Sequence, residues 1–293
     1  MDENYLVILA GGISSRMKKP ISENVTIDKK LLNEANHKSK SMIGIGAESR
    51  PFLDYLLYNA KKCGYKEIVI VISEKDMSIR EHYGLKDSGN NYFGLNISYA
   101  VQEIPPKGNK PLGTADALYQ ALLTRKDWEG KRFTVCNSDN LYSEQALKIM
   151  LDTDHLNAMI DYDRNSLEFD LERIEKFAVT KKNKNGFLVD IIEKPAKVII
   201  DSIAKESGYI GVSMNLFRFS YDMIFPFLEI VPFHPLRNEK ELTTAIKMMI
   251  DEYPDSLYTY YFSEHVPDLT NKKDILQVKK YLEEGFDDKN FFM

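Results

Sequence analysis

Two cysteines and a single tryptophan are the scarcest features of this 293-residue chain. Cys63 and Cys136 have neither metal-ligand spacing nor a partner pattern, which excludes a thiolate cluster and a disulfide framework. They read as small core residues of a reducing compartment. Long apolar runs are also missing. Runs such as Tyr5–Ala10 are strand-sized, well short of the ~18 residues that a membrane span needs. The acidic start MDENYLVILAGG lacks the features of a signal peptide. A cytoplasmic protein without a membrane partner is expected. There is no excess of positive charge: the formal net charge is −5. A general nucleic-acid binder needs a basic surface to displace counterions, so no nucleic-acid partner is expected. No internal repeat, low-complexity tract or linker interrupts the chain. Its length suits one α/β domain, and its 43% hydrophobic content is ordinary for a globular protein.

What is present is a strand–helix alternation. Tyr5–Ala10 is a continuous apolar run ending in Gly-Gly, as expected of a strand buried on both faces. Residues 18–40 are polar and lysine-rich and read as an extended loop. Pro51–Cys63 carries apolar residues at helical spacing, with Gly64 placed as a C-cap. Glu67–Ser73 and Leu95–Val101 read as strands, Thr114–Leu123 as a helix and Phe133–Asn137 as a strand. Ser143–Leu151 reads as a helix with Ser143 as N-cap, followed by strand Asn157–Asp163. The pattern then changes. Lys176–Lys181 and Gly186–Ile192 suggest a hairpin, and Tyr209–Phe219 a long strand. Helices Tyr221–Leu228 and Lys240–Asp251, strand Ser256–Phe262 and helix Lys272–Glu284 close the chain, with Gly285–Met293 as a loose tail. This order predicts an α/β fold, Rossmann-like and doubly wound, with a mostly parallel mixed sheet.

In open α/β sheets, ligands sit beyond the carboxyl ends of the strands. Three chemically loaded segments fall there. After Leu9 comes Gly11-Gly12-Ile13-Ser14-Ser15-Arg16-Met17. Its glycines allow close backbone approach to a phosphate, and Arg16 offers a forked donor. It is neither a Walker loop nor GxGxxG; alone it could be a glycine turn with a surface cation. Gln102 offers the donor and acceptor that a base edge requires, and Gly113-Thr114 opens a helix whose N–H groups suit an anion or carbonyl. The bland alternative is a surface Gln and an ordinary helix start. Asp139, in Asn137-Ser138-Asp139-Asn140, stands where a strand-end carboxylate could take Mg²⁺ or merely cap a turn. Later, Glu193-Lys194-Pro195 pairs an acid and a base at a strand end, and Asp268 precedes the last helix.

Taken together, these segments resemble the nucleoside-diphosphate-sugar pyrophosphorylase (sugar-1-phosphate nucleotidyltransferase) family. Leu9-Ala10-Gly11-Gly12-Ile13-Ser14-Ser15-Arg16-Met17 is similar to the family's Leu-Ala-Gly-Gly-x-Gly-x-Arg-Met loop, with Ser14 in place of its middle glycine. Ser39–Gly44 and Arg50-Pro51-Phe52-Leu53-Asp54-Tyr55 resemble its Pro-Lys-x-Leu-x-Pro and Lys-Pro segments. Gln102 with Gly113-Thr114-Ala115, Asp139, Glu193-Lys194-Pro195 and Asp268–Ile275 follow in the family's order, although Thr270-Asn271 stand where it has Gly-Thr. Val212–Phe217 resembles a strand motif of some bacterial members.

The resemblance implies a single nucleotidyltransferase domain over residues 1–293 with a GT-A-like fold. Residues 1–150 would form the nucleotide half, 151–270 the sugar half, and 271–293 a C-terminal helix and tail. It implies that a nucleoside triphosphate and a sugar-1-phosphate are joined, with Mg as cofactor, by in-line attack on the α-phosphate. Arg16, Lys40 and Asp139 would be catalytic. Leu9, Gly11, Gly12, Gln102, Gly113 and Thr114 would bind the nucleotide. Glu193, Lys194 and Asn215 would bind the sugar phosphate, and Asp139 and Asp268 the metal. With 23 residues between Arg16 and Lys40, Lys29 and Lys30 compete with Lys40 as the catalytic lysine. A homo-oligomer is possible. Two other readings stay open: a non-catalytic nucleotide or nucleotide-sugar binding protein of the same fold, and a glycosyltransferase using Asp161-Tyr162-Asp163.

Overall fold

The computed structural model describes residues 3–20, 27–106, 108, 110–193, 195–287 and 291. In chain order the elements are β1 (Tyr5–Leu9), α1 (Lys29–His37), α2 (Phe52–Cys63), β2 (Glu67–Ser73), α3 (Ser78–Tyr83), β3 (Asn90–Tyr92) and β4 (Leu95–Gln102). Then come α4 (Thr114–Thr124), β5 (Arg132–Asn137), α5 (Glu144–Asp152), β6 (Asn157–Asp163), α6 (Leu171–Ile174), β7 (Val179–Lys182) and β8 (Leu188–Ile192). α7 (Lys197–Ser207), β9 (Gly211–Ser220), α8 (Tyr221–Ile230), α9 (Leu242–Glu252), β10 (Leu257–Phe262) and α10 (Asp274–Gly285) complete the order. This is the α/β class expected from the sequence, with a mixed, mostly parallel central sheet and flanking helices. No helix of the described residues is long and apolar enough to cross a membrane.

The chain divides into two compact units. The first holds Asn4–Pro111, Asn137–Leu147 and Pro267–Met293, and the second Met1–Glu3, Leu112–Cys136 and Lys148–Val266. In the first unit β1, β2 and β4 run parallel, and the short β3 pairs antiparallel with β4. Leu6, Val7 and Ile8 of β1 and Ile68 to Val71 of β2 have no exposed surface. A strand buried on both faces needs a continuous apolar run rather than alternation, and these two have it. Gly64 ends α2 in the left-handed conformation at φ 104°, a cap that glycine adopts without steric cost.

In the second unit β9 lies between β5 and β6 and is antiparallel to both, while β10 runs parallel to β6. β7 and β8 form the expected hairpin, and Val179 of β7 pairs with Val212 of β9. The β6–β9 register slips: Met159 pairs with Phe217, but Asp161 pairs with Ser213. Asn215 takes up the slip at φ 59°. Asn is one of the few non-glycine residues that tolerate this region, as a bulge demands.

The structure corrects two readings. Residues 18–40 are not an extended loop throughout, because α1 lies within them; Ile21–Thr26 fall outside the described residues. Asp28 caps this helix, its Oδ1 accepting from the N–H of Lys30 at 2.8 Å and of Leu31 at 3.4 Å. The buried Glu34 carboxylate accepts from the Gly44 N–H at 2.7 Å. The lysine-rich surface of α1 hides a short apolar face. Nor is the tail loose where it is described. Phe286 meets Tyr55 edge-on at 4.8 Å, Phe291 stacks on Tyr58 at 4.4 Å, and the Arg50 guanidinium lies 3.9 Å over the Phe291 ring. The short elements α3, β3 and α6 carry too little periodicity to be read from sequence, and the 11-residue α7 was not anticipated although Ile199, Ile200 and Ile203 follow helical spacing.

Removing the Phe291 ring by Phe291→Ala forfeits its stack on Tyr58, its ring contacts with Tyr55 and Phe286 and its cation–π contact with Arg50, together on the order of 2 kcal/mol. Thermal unfolding is expected to shift down by a few degrees. An unchanged midpoint would show that the tail contributes nothing to the fold.

Candidate active site

Within the first unit, the loop after β1 is held from both sides. The Leu9 carbonyl accepts from the Ser138 N–H at 3.1 Å, and Ala10 donates to Val71 at 2.8 Å. Gly11 lies against Gln102: a Cβ there would come within 2.9 Å of Gln102 Oε1. Gln102 sits at the end of β4 and is 3% exposed. Gly12 differs, because a Cβ would meet nothing within 4 Å and its φ is not positive. Neither packing nor backbone conformation therefore requires glycine at that position. Ser14 adopts φ 54°, the left-handed conformation that glycine takes freely. It gains a contact in return, since its Oγ accepts from the Lys40 N–H at 3.3 Å. Arg16 is exposed and, among the described residues, has no ion-pair partner. Met17 is fully buried and pins the loop behind it.

The segment after β5 closes the group. Lys40 Nζ forms an ion pair with Asp139, and both side chains are largely buried. Of the competing lysines, Lys30 donates to Ser49 Oγ at 2.6 Å and Lys29 is exposed. Geometry thus singles out Lys40 as the lysine beside Asp139. Backbone contacts set Asp268 next to this pair: Leu269 donates to the Asp139 carbonyl at 2.8 Å, Leu141 to the Pro267 carbonyl at 2.9 Å, and Asn140 bridges Asp268. Thr270 Oγ1 donates to Asp268 Oδ1 at 2.6 Å. Asp274 Oδ2 accepts from the N–H groups of Thr270 at 2.8 Å and Asn271 at 2.7 Å. The residues that stand in place of Gly-Thr are therefore structured rather than slack.

Among the described residues no three acidic, His or Cys side chains cluster as a complete metal cage. Mg²⁺ does not need one. It is held by one or two carboxylates, with waters and substrate phosphates completing the shell. The hard oxygen donors of Asp139 and Asp268, carried on directly bridged segments, fit that pattern.

The second unit positions the other expected residues. Gly113 precedes α4 at φ 117°, where a Cβ would lie 2.5 Å from the Lys240 carbonyl. That carbonyl accepts from the Ala115 N–H at 2.9 Å, and Thr114 Oγ1 accepts from the Leu242 N–H at 3.0 Å. Gly113 and Thr114 are thus tied to the start of α9. Glu193 follows β8; it pairs with Arg237 and accepts from Thr243 Oγ1 at 3.4 Å. Arg237 also reaches Glu241 at 2.8 Å. Burial, and then the neighbouring Glu193 charge, push the Glu241 carboxyl above its usual range. Sequence reasoning missed Arg237, an arginine in a polar loop far from Glu193 in the chain. Lys194 lies outside the described residues. Asn215 sits on the β9 bulge, its N–H donating to Ser213 Oγ at 3.2 Å.

Asp161-Tyr162-Asp163 does not present a metal site. Asp161 is fully buried and accepts from Thr180 Oγ1 at 2.5 Å and Tyr209 OH at 2.6 Å, and it pairs with Lys182. Desolvation, and then the Asp161 charge, push the Tyr209 phenol well above its ordinary value. Asp163 accepts from the Asn165 N–H at 2.9 Å and from Tyr261 OH at 3.2 Å.

The Ser14 loop, the Lys40–Asp139 pair and the bridged Asp268 segment are thus gathered within the first unit of an α/β fold. A profile of the nucleotidyl transferase family matches residues 5–284, and the chain belongs to that family. It is 24% identical over 230 residues to glucose-1-phosphate adenylyltransferase 2 of Vibrio parahaemolyticus, covering 76% of this chain and 51% of that protein. It is 21% identical over 280 residues to the glucose-1-phosphate adenylyltransferase of Koribacter versatilis, covering 94% of this chain and 61% of that protein. The chain thus spans roughly half to three fifths of the length of these curated relatives. A Bacillus anthracis protein assigned as a glucose-1-phosphate thymidylyltransferase, solved with sucrose, shares the fold with a TM-score of 0.65 at 20% identity, covering 98% of each chain.

Lys182→Met leaves the buried Asp161 carboxylate without its cation and is expected to cost about 3–5 kcal/mol in denaturant unfolding. Adding Asp161→Asn should recover much of that loss, because the uncompensated charge is removed. A double variant no more stable than Lys182→Met would contradict this account.

Proposed function

We propose that the chain joins a nucleoside triphosphate to a sugar-1-phosphate, giving a nucleoside-diphosphate sugar and pyrophosphate. The observation that carries this reading is the Lys40–Asp139 pair, held beside the Ser14 loop and bridged to the Asp268 segment. Glucose-1-phosphate is the acceptor to try first, since the relatives named above carry it in their names.

A phosphate oxygen of the acceptor attacks the α-phosphorus. The bond from that phosphorus to the bridging oxygen breaks on the far side, and the electron pair leaves with pyrophosphate. Such a reaction needs alignment and neutralisation of charge more than covalent help from the protein. The exposed guanidinium of Arg16 would take the departing β,γ-phosphates. Lys40 would exchange part of its bond to Asp139 for the α-phosphate oxygens as charge builds there. Leu9, Gly11 and Gly12 would let the backbone approach the triphosphate, and the open space at Gly12 supports this use. Gln102, with Gly113 and Thr114, would read the base. Glu193 and Asn215 would bond sugar hydroxyls, with Arg237 joining Lys194 as a cation for the acceptor phosphate. Asp139 and Asp268 would hold Mg²⁺, whose contribution when bound is to neutralise triphosphate oxygens. On this reading both units serve one nucleotidyltransferase domain.

The test is pyrophosphate release from ATP, dTTP, UTP, CTP and GTP, each with glucose-1-phosphate and Mg²⁺, followed by other sugar-1-phosphates. Asp139→Asn is expected to lower kcat by ~10²–10³-fold, and Arg16→Ala to raise the triphosphate KM about tenfold, the worth of one charge-assisted hydrogen bond. Triphosphate binding by calorimetry, unaffected by Asp139→Asn and without turnover on any acceptor, would instead establish a non-catalytic nucleotide binder.

A further inference from the structure

Lys272 is a buried lysine that the proposed reaction does not use. It is 7% exposed. Its ammonium donates to the Lys19 carbonyl at 2.8 Å and to Asn36 Oδ1 at 2.6 Å. Among the described residues it pairs with no carboxylate. Burying an ammonium on two neutral acceptors is expensive, so its location calls for an account.

Three segments meet at this nitrogen, and each leads to a residue of the candidate site. Lys19 ends the loop of Arg16, and the turn between them is closed by Lys18 N–H on the Ser14 carbonyl at 3.2 Å and Lys19 N–H on the Arg16 carbonyl at 3.3 Å. Asn36 lies in α1, shortly before Lys40. The Lys38 N–H donates to the Glu34 carbonyl at 2.8 Å, and the Glu34 side chain holds Gly44. The segment carrying Lys40 is therefore bound to α1 at both ends. Lys272 itself follows Asp268 closely, on the stretch that Thr270 and Asp274 hold rigid. A displacement at Lys272 would be felt at Arg16, Lys40 and Asp268 together.

We propose that Lys272 is a positioning residue: it fixes the Arg16 loop and the α1–Lys40 segment on the stretch that carries Asp268. The proposal rests on the nucleotidyl-transfer reading. One ammonium with donors in several directions can bond two backbone segments at once, which an apolar side chain of the same length cannot do.

The test compares the wild-type chain, Lys272→Met, Asn36→Ala and the double variant. Lys272→Met keeps the stem and removes the donors, and Asn36→Ala removes one acceptor on an exposed helix surface. Hydrogen exchange on the ligand-free proteins reads the tether without reference to activity. Lys272→Met is expected to speed exchange in residues 14–20 and 36–42 together, leaving β2 unchanged. In the pyrophosphate-release assay, kcat should fall by on the order of 10- to 100-fold, the scale of a small misplacement of reacting groups. The triphosphate KM should rise while the glucose-1-phosphate KM stays at its wild-type value. Asn36→Ala should shift the same parameters in the same direction, and the double variant should be no worse than Lys272→Met. A lower thermal midpoint with unchanged kinetics overturns the proposal, as do equal rises in both KM values or unaltered exchange in the two segments. If the wild-type chain releases no pyrophosphate, the transfer reading fails by itself. The exchange experiment then decides the tether: joint loosening upholds it and unaltered rates reject it.

Discussion

The ion pair between Lys40 and Asp139 is the contact on which the arrangement of the first unit depends. It joins a segment that begins with a lysine-rich helix to a loop that ends a buried strand, across about a hundred residues of chain. Two largely buried opposite charges lose hydration when brought together, and neither remains comfortable if the other leaves. The pair therefore holds only because its surroundings are fixed. Ser14 takes the Lys40 N–H, and the Asp139 carbonyl takes the Leu269 N–H. In the proposed reaction the incoming phosphates offer the ammonium a stronger partner, so the contact becomes one that can be exchanged.

Much of this architecture was legible in the sequence where physics acts locally. The strands β1 and β2 are buried on both faces and so advertise themselves as unbroken apolar runs. α2 shows its period and its glycine cap. Asp139 drew attention because strand ends concentrate chemistry in α/β sheets, and Asp268 only through the resemblance of its segment to the family. What stayed hidden depends on contacts distant in the chain. The choice among Lys29, Lys30 and Lys40 rests on which ammonium meets Asp139, and spacing carries no such information. α1 was obscured because its lysines face outward while the buried groups include a glutamate, an unusual core residue. Arg237 was invisible because its meaning comes from Glu193, which follows β8 and lies 44 residues earlier in the chain. The tail was misread because Phe286 and Phe291 find aromatic partners on α2.

Ser14 shows how a departure from the family's pattern can be accommodated. A serine at positive φ carries a backbone penalty that glycine avoids. Its hydroxyl, however, reaches the Lys40 N–H, so part of the strain is offset by a bond that glycine cannot make. The exchange trades freedom in the loop for a link to the segment carrying the lysine.

The bulge at Asn215 has a consequence for how the second unit can vary. Between Met159 and Asp161 the chain of β6 advances two positions, while β9 advances four, from Ser213 to Phe217. The surplus is even. An odd surplus would turn every side chain beyond it to the opposite face of the sheet. With an even one, both flanks of β9 keep their facing relative to β6, and the irregularity stays local. The irregularity therefore re-aims the Asn215 side chain without re-phasing the strand on either side, while Met214 and Leu216 beside it stay buried.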